Sequence, residues 1–126
     1  MAIKGLGTDI VEIARIEQQH SRLGDKLAKR VLTPVELEIY QDSTIPHRYL
    51  AKRFSAKEAA AKALGTGIGR GVSFQHIHIS NNENGAPQVS FTDGALARMT
   101  ELGATSAHIT IADEQHYAVS TVIIES

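Results

Sequence analysis

Leu50-Ala51-Lys52-Arg53-Phe54-Ser55-Ala56-Lys57-Glu58-Ala59-Ala60-Ala61-Lys62-Ala63-Leu64-Gly65 is the stretch around which the chain is organised. Alanine, leucine, lysine and glutamate are strong helix formers, no proline interrupts them, and Gly65 stands where a helix C-cap glycine belongs. At about 100° per residue, Leu50, Phe54, Ala61 and Leu64 share one side. Lys57 falls within that stripe, and Arg53 and Glu58 border it. The opposite side carries Lys52, Ser55, Ala59 and Ala63 and is small rather than charged. A surface helix ordinarily places its charges opposite its bulky apolar residues. Charges aimed where a helix meets its protein are costly unless paired or bound, so this inversion marks a candidate functional site.

The simple alternative is structural. Glu58 and Lys62 are spaced i,i+4 with the acid first, a helix pair worth about 0.2–0.5 kcal/mol. The wider constellation suits a metal and a phosphate together. A carboxylate suits Mg²⁺, which usually takes one or two carboxylates, waters and substrate phosphates. Arginine and lysine suit the remaining phosphate oxygens.

Working outward, 126 residues form a single domain, 1–126, large enough for a core. A formal net charge of -1 speaks against broad nucleic-acid binding. With no cysteine, neither a disulfide framework nor a thiolate zinc site is available, as in a reducing compartment. No apolar run is long enough to span a membrane, and the N-terminus has no secretion-signal pattern, so a cytoplasmic protein is expected.

Ile3 to Val11 reads as a strand, with Gly5 and Gly7 marking close backbone approach. Asp9 reads equally as a helix N-cap or as a carboxylate presented at a strand end. Glu12 to Arg30 reads as two helical pieces divided near Gly24. Arg15, Arg22, Lys26, Lys29 and Arg30 make it the most basic region, either a solvated face or a dock for an acidic partner. Thr33-Pro34-Val35-Glu36 opens a third helix with a capping box and proline at N1. Gly65-Thr66-Gly67-Ile68-Gly69-Arg70-Gly71 follows the central helix. It is either a flexible cap or a ligand loop in which Gly65 and Gly67 admit a phosphate.

Phe74 to Ser80 alternates as a strand, Asn84-Gly85 turns it, and Pro87 to Phe91 pairs back. A helix capped by Thr92 or Asp93 runs to about Leu102. His108–Ile111 and Tyr117–Ile124 are the last two strands. His76 and His78 would share a strand face, but a third metal ligand is lacking, so a cross-strand or surface role is preferred. The expected class is α+β, with the long central helix packed on a largely antiparallel sheet. Uncovered hairpin edges favour an oligomer.

Gly7-Thr8-Asp9-Ile10, paired with Arg53-Phe54-Ser55-Ala56-Lys57-Glu58-Ala59-Ala60-Ala61-Lys62-Ala63-Leu64-Gly65-Thr66-Gly67, resembles the two signatures of the short bacterial 4′-phosphopantetheinyl transferases, the holo-[acyl-carrier-protein] synthase family. The resemblance covers nearly the whole chain. It implies a 4′-phosphopantetheinyl transferase-like fold and transfer of phosphopantetheine from coenzyme A to a serine of an acyl carrier protein, leaving adenosine 3′,5′-bisphosphate. It implies Mg²⁺ as cofactor, held by Asp9 and Glu58, with Lys62 on the coenzyme A pyrophosphate. Arg53 and Lys57 would be further phosphate contacts, and Arg15, with Arg22 and Lys26, would dock the carrier. A homotrimer with sites between subunits is also implied. The serine proton would pass to Glu58 or to a metal-bound water, and the residues leave both open. Where many relatives carry a phosphate-binding histidine, this chain reads Ala112-Asp113-Glu114.

Two other readings use the same residues: a metal-dependent pyrophosphatase of nucleotide substrates, and a non-catalytic carrier-binding protein using only the basic helix. The charged central helix speaks against the second.

Overall fold

The computed structural model describes residues 1–126. The elements run β1 (Ile3–Glu12), α1 (Ile13–Leu23), α2 (Lys26–Val31), α3 (Pro34–Asp42), α4 (Pro46–Ala63), a 3₁₀ turn (Phe74–His76), β2 (Ile77–Asn81), β3 (Pro87–Phe91), α5 (Asp93–Glu101), β4 (Ser106–Asp113) and β5 (Tyr117–Glu125). This is the expected α+β class. Two antiparallel sheets form: three strands in the order β1-β5-β4, and the β2-β3 hairpin.

Helix α4 is central, and its small side is buried rather than solvated. Ala56, Ala59, Ala60, Ala61 and Ala63 are all buried, as are Leu50 and Ala51. The reason lies in β1. A Cβ on Gly7 would sit 2.1 Å from the Ala59 carbonyl oxygen, and one on Gly5 would sit 1.9 Å from that of Ala63. Glycine on the strand and alanine on the helix let the two backbones nearly touch. That approach fixes β1, and Asp9 on it, against the face of α4 that carries Lys62.

The Thr33–Glu36 capping box forms as expected, with Pro34 in the first turn of α3. At the other end of α4 the chain closes in a Schellman motif. The Gly65 amide donates to the Lys62 carbonyl at 2.9 Å and the Thr66 amide to that of Ala61 at 3.3 Å, with Gly65 at φ 77°.

One expected strand starts later than its alternation suggests. Phe74–His76 is a 3₁₀ turn because the His76 amide donates to the Ser73 carbonyl, while His76 Nδ1 accepts from the Ser73 amide at 3.2 Å. His76 and His78 therefore do not share a strand face. His78 Nε2 pairs instead with Thr92 Oγ1 at 3.0 Å.

Candidate active site

Asp9, Glu58 and Lys62 come together where β1 crosses α4. Asp9 lies near the end of the strand that the glycines hold against the helix. Glu58 and Lys62 project from α4 one turn apart. Lys62 Nζ donates to Asp9 Oδ1 at 2.9 Å and to the Thr8 carbonyl at 3.0 Å. The local Glu58–Lys62 helix pair does not form: the lysine turns to the strand, and the Glu58 carboxylate takes no hydrogen bond and no salt bridge.

Burial pushes the Glu58 carboxyl above its ordinary value, the Asp9 charge adds to this, and Lys62 and Arg30 oppose it. Two carboxylates thus line one pocket, and of the two the lysine beside them bonds only Asp9. Their pocket, about 260 Å³, is lined by Asp9, Arg15 and Glu58 against Val11, Ile16 and Phe54.

The residues here fit Mg²⁺. The donors are hard carboxylate oxygens, and their mutual repulsion is what a divalent cation relieves. No group of three His, Cys, Asp or Glu side chains is arranged to hold an ion. The fit is therefore to an ion completed by water and substrate oxygens rather than to an all-protein cage.

The basic trio expected to dock a carrier is exposed. Arg15, Arg22 and Lys26 lie on α1 and α2, and none makes an intramolecular salt bridge. Arg15 also lines the Asp9–Glu58 pocket, so this face runs into the site.

Lys57 departs from its expected role. Its side chain is 0% exposed, and Nζ donates to Glu36 Oε1 at 2.6 Å, the Val31 carbonyl at 2.7 Å and the Phe74 carbonyl at 3.1 Å. All three ammonium donors are used inside the core, which leaves none for a phosphate. Gly65 and Gly67 are corrected likewise. Their amides donate to Lys62 and Ala61 carbonyls, at 2.9 and 3.1 Å, so the start of the glycine-rich loop caps the helix rather than cradling an anion.

Arg53 belongs to a different cavity, about 390 Å³, with Arg48, Lys52, Asn81 and Asp113. It is buried, donates to Asn81 Oδ1 at 2.8 Å and stacks 4.8 Å over the Tyr49 ring, while its Nε has no partner. Asp113 holds Arg48 at 2.9 Å and Lys52 at 3.5 Å. The hydrogen bond from Arg48 draws the Asp113 carboxyl below its usual range, against some desolvation.

Sequence reasoning missed Glu36 as the partner of Lys57, reading it only as a helix cap. The signal was present: a lysine within an apolar stripe demands a buried acid.

Residues 5–122 match the family model of the 4′-phosphopantetheinyl transferase superfamily. A holo-[acyl-carrier-protein] synthase of Shewanella denitrificans is 72% identical over 126 residues, covering 100% of both chains. One from Shewanella baltica is 73% identical, covering 100% of this chain and 99% of its own. Among solved structures, the holo-[acyl-carrier-protein] synthase of Neisseria meningitidis superposes with TM-score 0.92 at 38% identity, over 99% of this chain and 100% of that one. The Helicobacter pylori enzyme, solved in complex with coenzyme A, does so with TM-score 0.83 at 32% identity, over 95% and 99%. With the strand carboxylate of Asp9 and the helix carboxylate of Glu58 lining one pocket beside Lys62, this chain belongs to the 4′-phosphopantetheinyl transferase superfamily, as a relative of the holo-[acyl-carrier-protein] synthases.

Proposed function

We propose that this protein transfers the 4′-phosphopantetheine group of coenzyme A to a serine of an apo acyl carrier protein, releasing adenosine 3′,5′-bisphosphate, and requires Mg²⁺. The observation that carries the reading is the Glu58 carboxylate, half-buried and without a hydrogen-bond donor, beside Asp9 and Lys62 in a basic-rimmed pocket. An unpaired carboxylate in such a place lacks a structural purpose and suits a bound cation.

The chemistry is phosphoryl transfer, which needs positioning and charge neutralisation more than covalent help from the protein. Asp9 and Glu58 hold the Mg²⁺, which when bound offsets the negative charge of the pyrophosphate. Lys62, released from Asp9, neutralises charge developing on the leaving phosphate. Glu58 lies where the serine would enter and is the chain's own candidate to accept its proton. Val11, Ile16 and Phe54 keep one wall of the pocket apolar, which strengthens each of these electrostatic interactions. Arg15, Arg22 and Lys26 steer the acidic carrier so that its serine enters beside Arg15. Arg53, in its own cavity with Arg48 and Lys52, is a further phosphate contact in the site of a neighbouring subunit.

A homotrimer is part of the same reading. What supports assembly is the outer face of the three-stranded sheet, where Leu6, Ile10 and Val119 stand exposed, with Ile10 and Val119 paired across strands. A cytoplasmic location is part of the same reading. No helix is long and apolar enough to cross a membrane.

The test is the intact mass of an apo carrier protein after incubation with this protein, coenzyme A and Mg²⁺. The expected result is a gain of one phosphopantetheine group per carrier, abolished by chelation. Cleavage of coenzyme A without a carrier, or an unmodified carrier that another transferase readily modifies, would overturn the reading.

A further inference from the structure

We propose that the buried Glu36–Lys57 ion pair is the positioning device for Glu58. This rests on the metal-site reading above and adds to it two residues that touch neither metal nor substrate.

The pair ties several segments at one point. Lys57 on α4 reaches the Val31 carbonyl at the end of α2, the Phe74 carbonyl in the 3₁₀ turn, and Glu36 on α3. Glu36 Oε1 also accepts from the Thr33 amide at 2.9 Å, and Oε2 accepts from the Ile79 amide of β2 at 2.8 Å. Every donor on the ammonium has an acceptor, and both carboxylate oxygens are used. Such a junction has one geometry. It sets both the rotation of α4 about its axis and its rise along it.

Glu58 is the next residue, about 100° further round the helix. It makes no hydrogen bond of its own, so nothing local holds its carboxylate on the Asp9 side. Its position is inherited from the helix, which Gly7 sets against β1 at Ala59 and Lys57 ties to α2, α3 and the 3₁₀ turn. Lys62, one turn on, is also tied to β1 through Asp9 and Thr8. Glu58 lacks any such second tie.

Stability alone does not call for these charges. Well-packed apolar residues of similar volume are often as stable as a buried ion pair, or more so. What a saturated ion pair provides in addition is a defined register. A catalytic site needs that, because misplacement by about 1 Å costs on the order of a hundredfold in rate.

The test compares Lys57→Met and Glu36→Gln with the wild type and two controls, at temperatures where each is folded by circular dichroism. Binding of Mn²⁺ in the presence of coenzyme A is measured from the free-ion electron paramagnetic resonance signal, separately from turnover. Both variants are expected to bind Mn²⁺ at least about tenfold more weakly and to lose about a hundredfold in kcat. Their KM for the carrier should stay within about threefold, because Arg15 and Arg22 on α1 make no contact with the junction.

Ile124→Ala, a core variant that lowers the melting temperature without touching the junction, should keep wild-type Mn²⁺ binding. Glu58→Ala should lose it. Folded Lys57→Met and Glu36→Gln proteins with wild-type Mn²⁺ affinity would overturn the positioning role while leaving the metal site standing. Unfolding of both variants at every temperature would reduce the pair to a structural bond and overturn it as well. Wild-type Mn²⁺ binding by Glu58→Ala would overturn the metal reading itself.

Discussion

Two of the three lysines of helix α4, Lys57 and Lys62, illustrate opposite uses of the same chemistry, each beside a carboxylate. Lys57 is wholly buried, and its partner Glu36 is 3% exposed. Both are saturated with hydrogen bonds. Lys62 is half-exposed at 50%, with Asp9 at 15%. Beside them Glu58 has no partner at all. Residue type does not distinguish the two clusters. What distinguishes them is whether every donor and acceptor is already satisfied. The saturated cluster has nothing left to offer a ligand and holds the helix. The unsaturated one retains capacity for a cation and an anion.

The contrast can be broken or sharpened by substitution, and the largest effect belongs to the unsaturated side. Glu58→Ala should lower phosphopantetheine transfer at least about a thousandfold, through loss of a metal ligand, while the melting temperature changes little. A steady-state assay on protein of verified fold checks this.

Lys62→Met should cost about a hundredfold to a thousandfold in kcat, the range for losing one donor to developing charge. It should leave the melting temperature nearly intact, because its exposed pair with Asp9 is worth little to stability.

Gly7→Ala acts through placement rather than chemistry. Its Cβ would meet the Ala59 carbonyl, which is backbone and cannot swing aside. A loss of about 3 kcal/mol in urea unfolding is expected, with β1 and Asp9 pushed from the helix.

The smallest effect tests the electrostatics of the Asp9–Glu58 cluster directly. The Glu58 carboxyl is raised in the folded protein, so its ionisation opposes folding above its folded pKa. Below the unfolded carboxylate range both states are protonated and the cost vanishes. Without divalent cations, Glu58→Gln should therefore melt slightly higher than wild type at neutral pH, and the two should converge near pH 4. Scanning calorimetry at both pH values would show it, and a lower melting temperature at neutral pH would contradict it.

Much of this was legible in the chain. The capping box at Thr33–Glu36, the split near Gly24, the glycines of β1 and the charged stripe of α4 each follow from local rules, and the structure has them. Asp9, Glu58 and Lys62 stand out in the sequence through helix periodicity, a strand-end aspartate and the family resemblance, and the fold brings them together. What local rules could not give was pairing between distant elements. Lys57 was drawn to phosphate by its neighbours in sequence, whereas a glutamate 21 positions earlier, already visible as a helix cap, takes its charge in the fold. The Gly65–Gly71 loop reads in sequence as either a cap or a ligand loop, and the Gly65 and Gly67 amides serve the helix end. The turn at Phe74–His76 escaped because a histidine side chain accepting from the Ser73 amide three residues earlier is invisible to alternation.

The most direct measurement is the intact mass of an apo acyl carrier protein treated in parallel with wild-type enzyme and Asp9→Asn, each with coenzyme A and Mg²⁺. Removing the Asp9 charge removes one of the two proposed cation ligands and the Lys62 partner while keeping the side chain's size. The account predicts complete addition of phosphopantetheine by the wild type and no detectable addition by Asp9→Asn over the same time. Equal addition by both would contradict the assignment of the Asp9–Glu58–Lys62 cluster as the site of transfer.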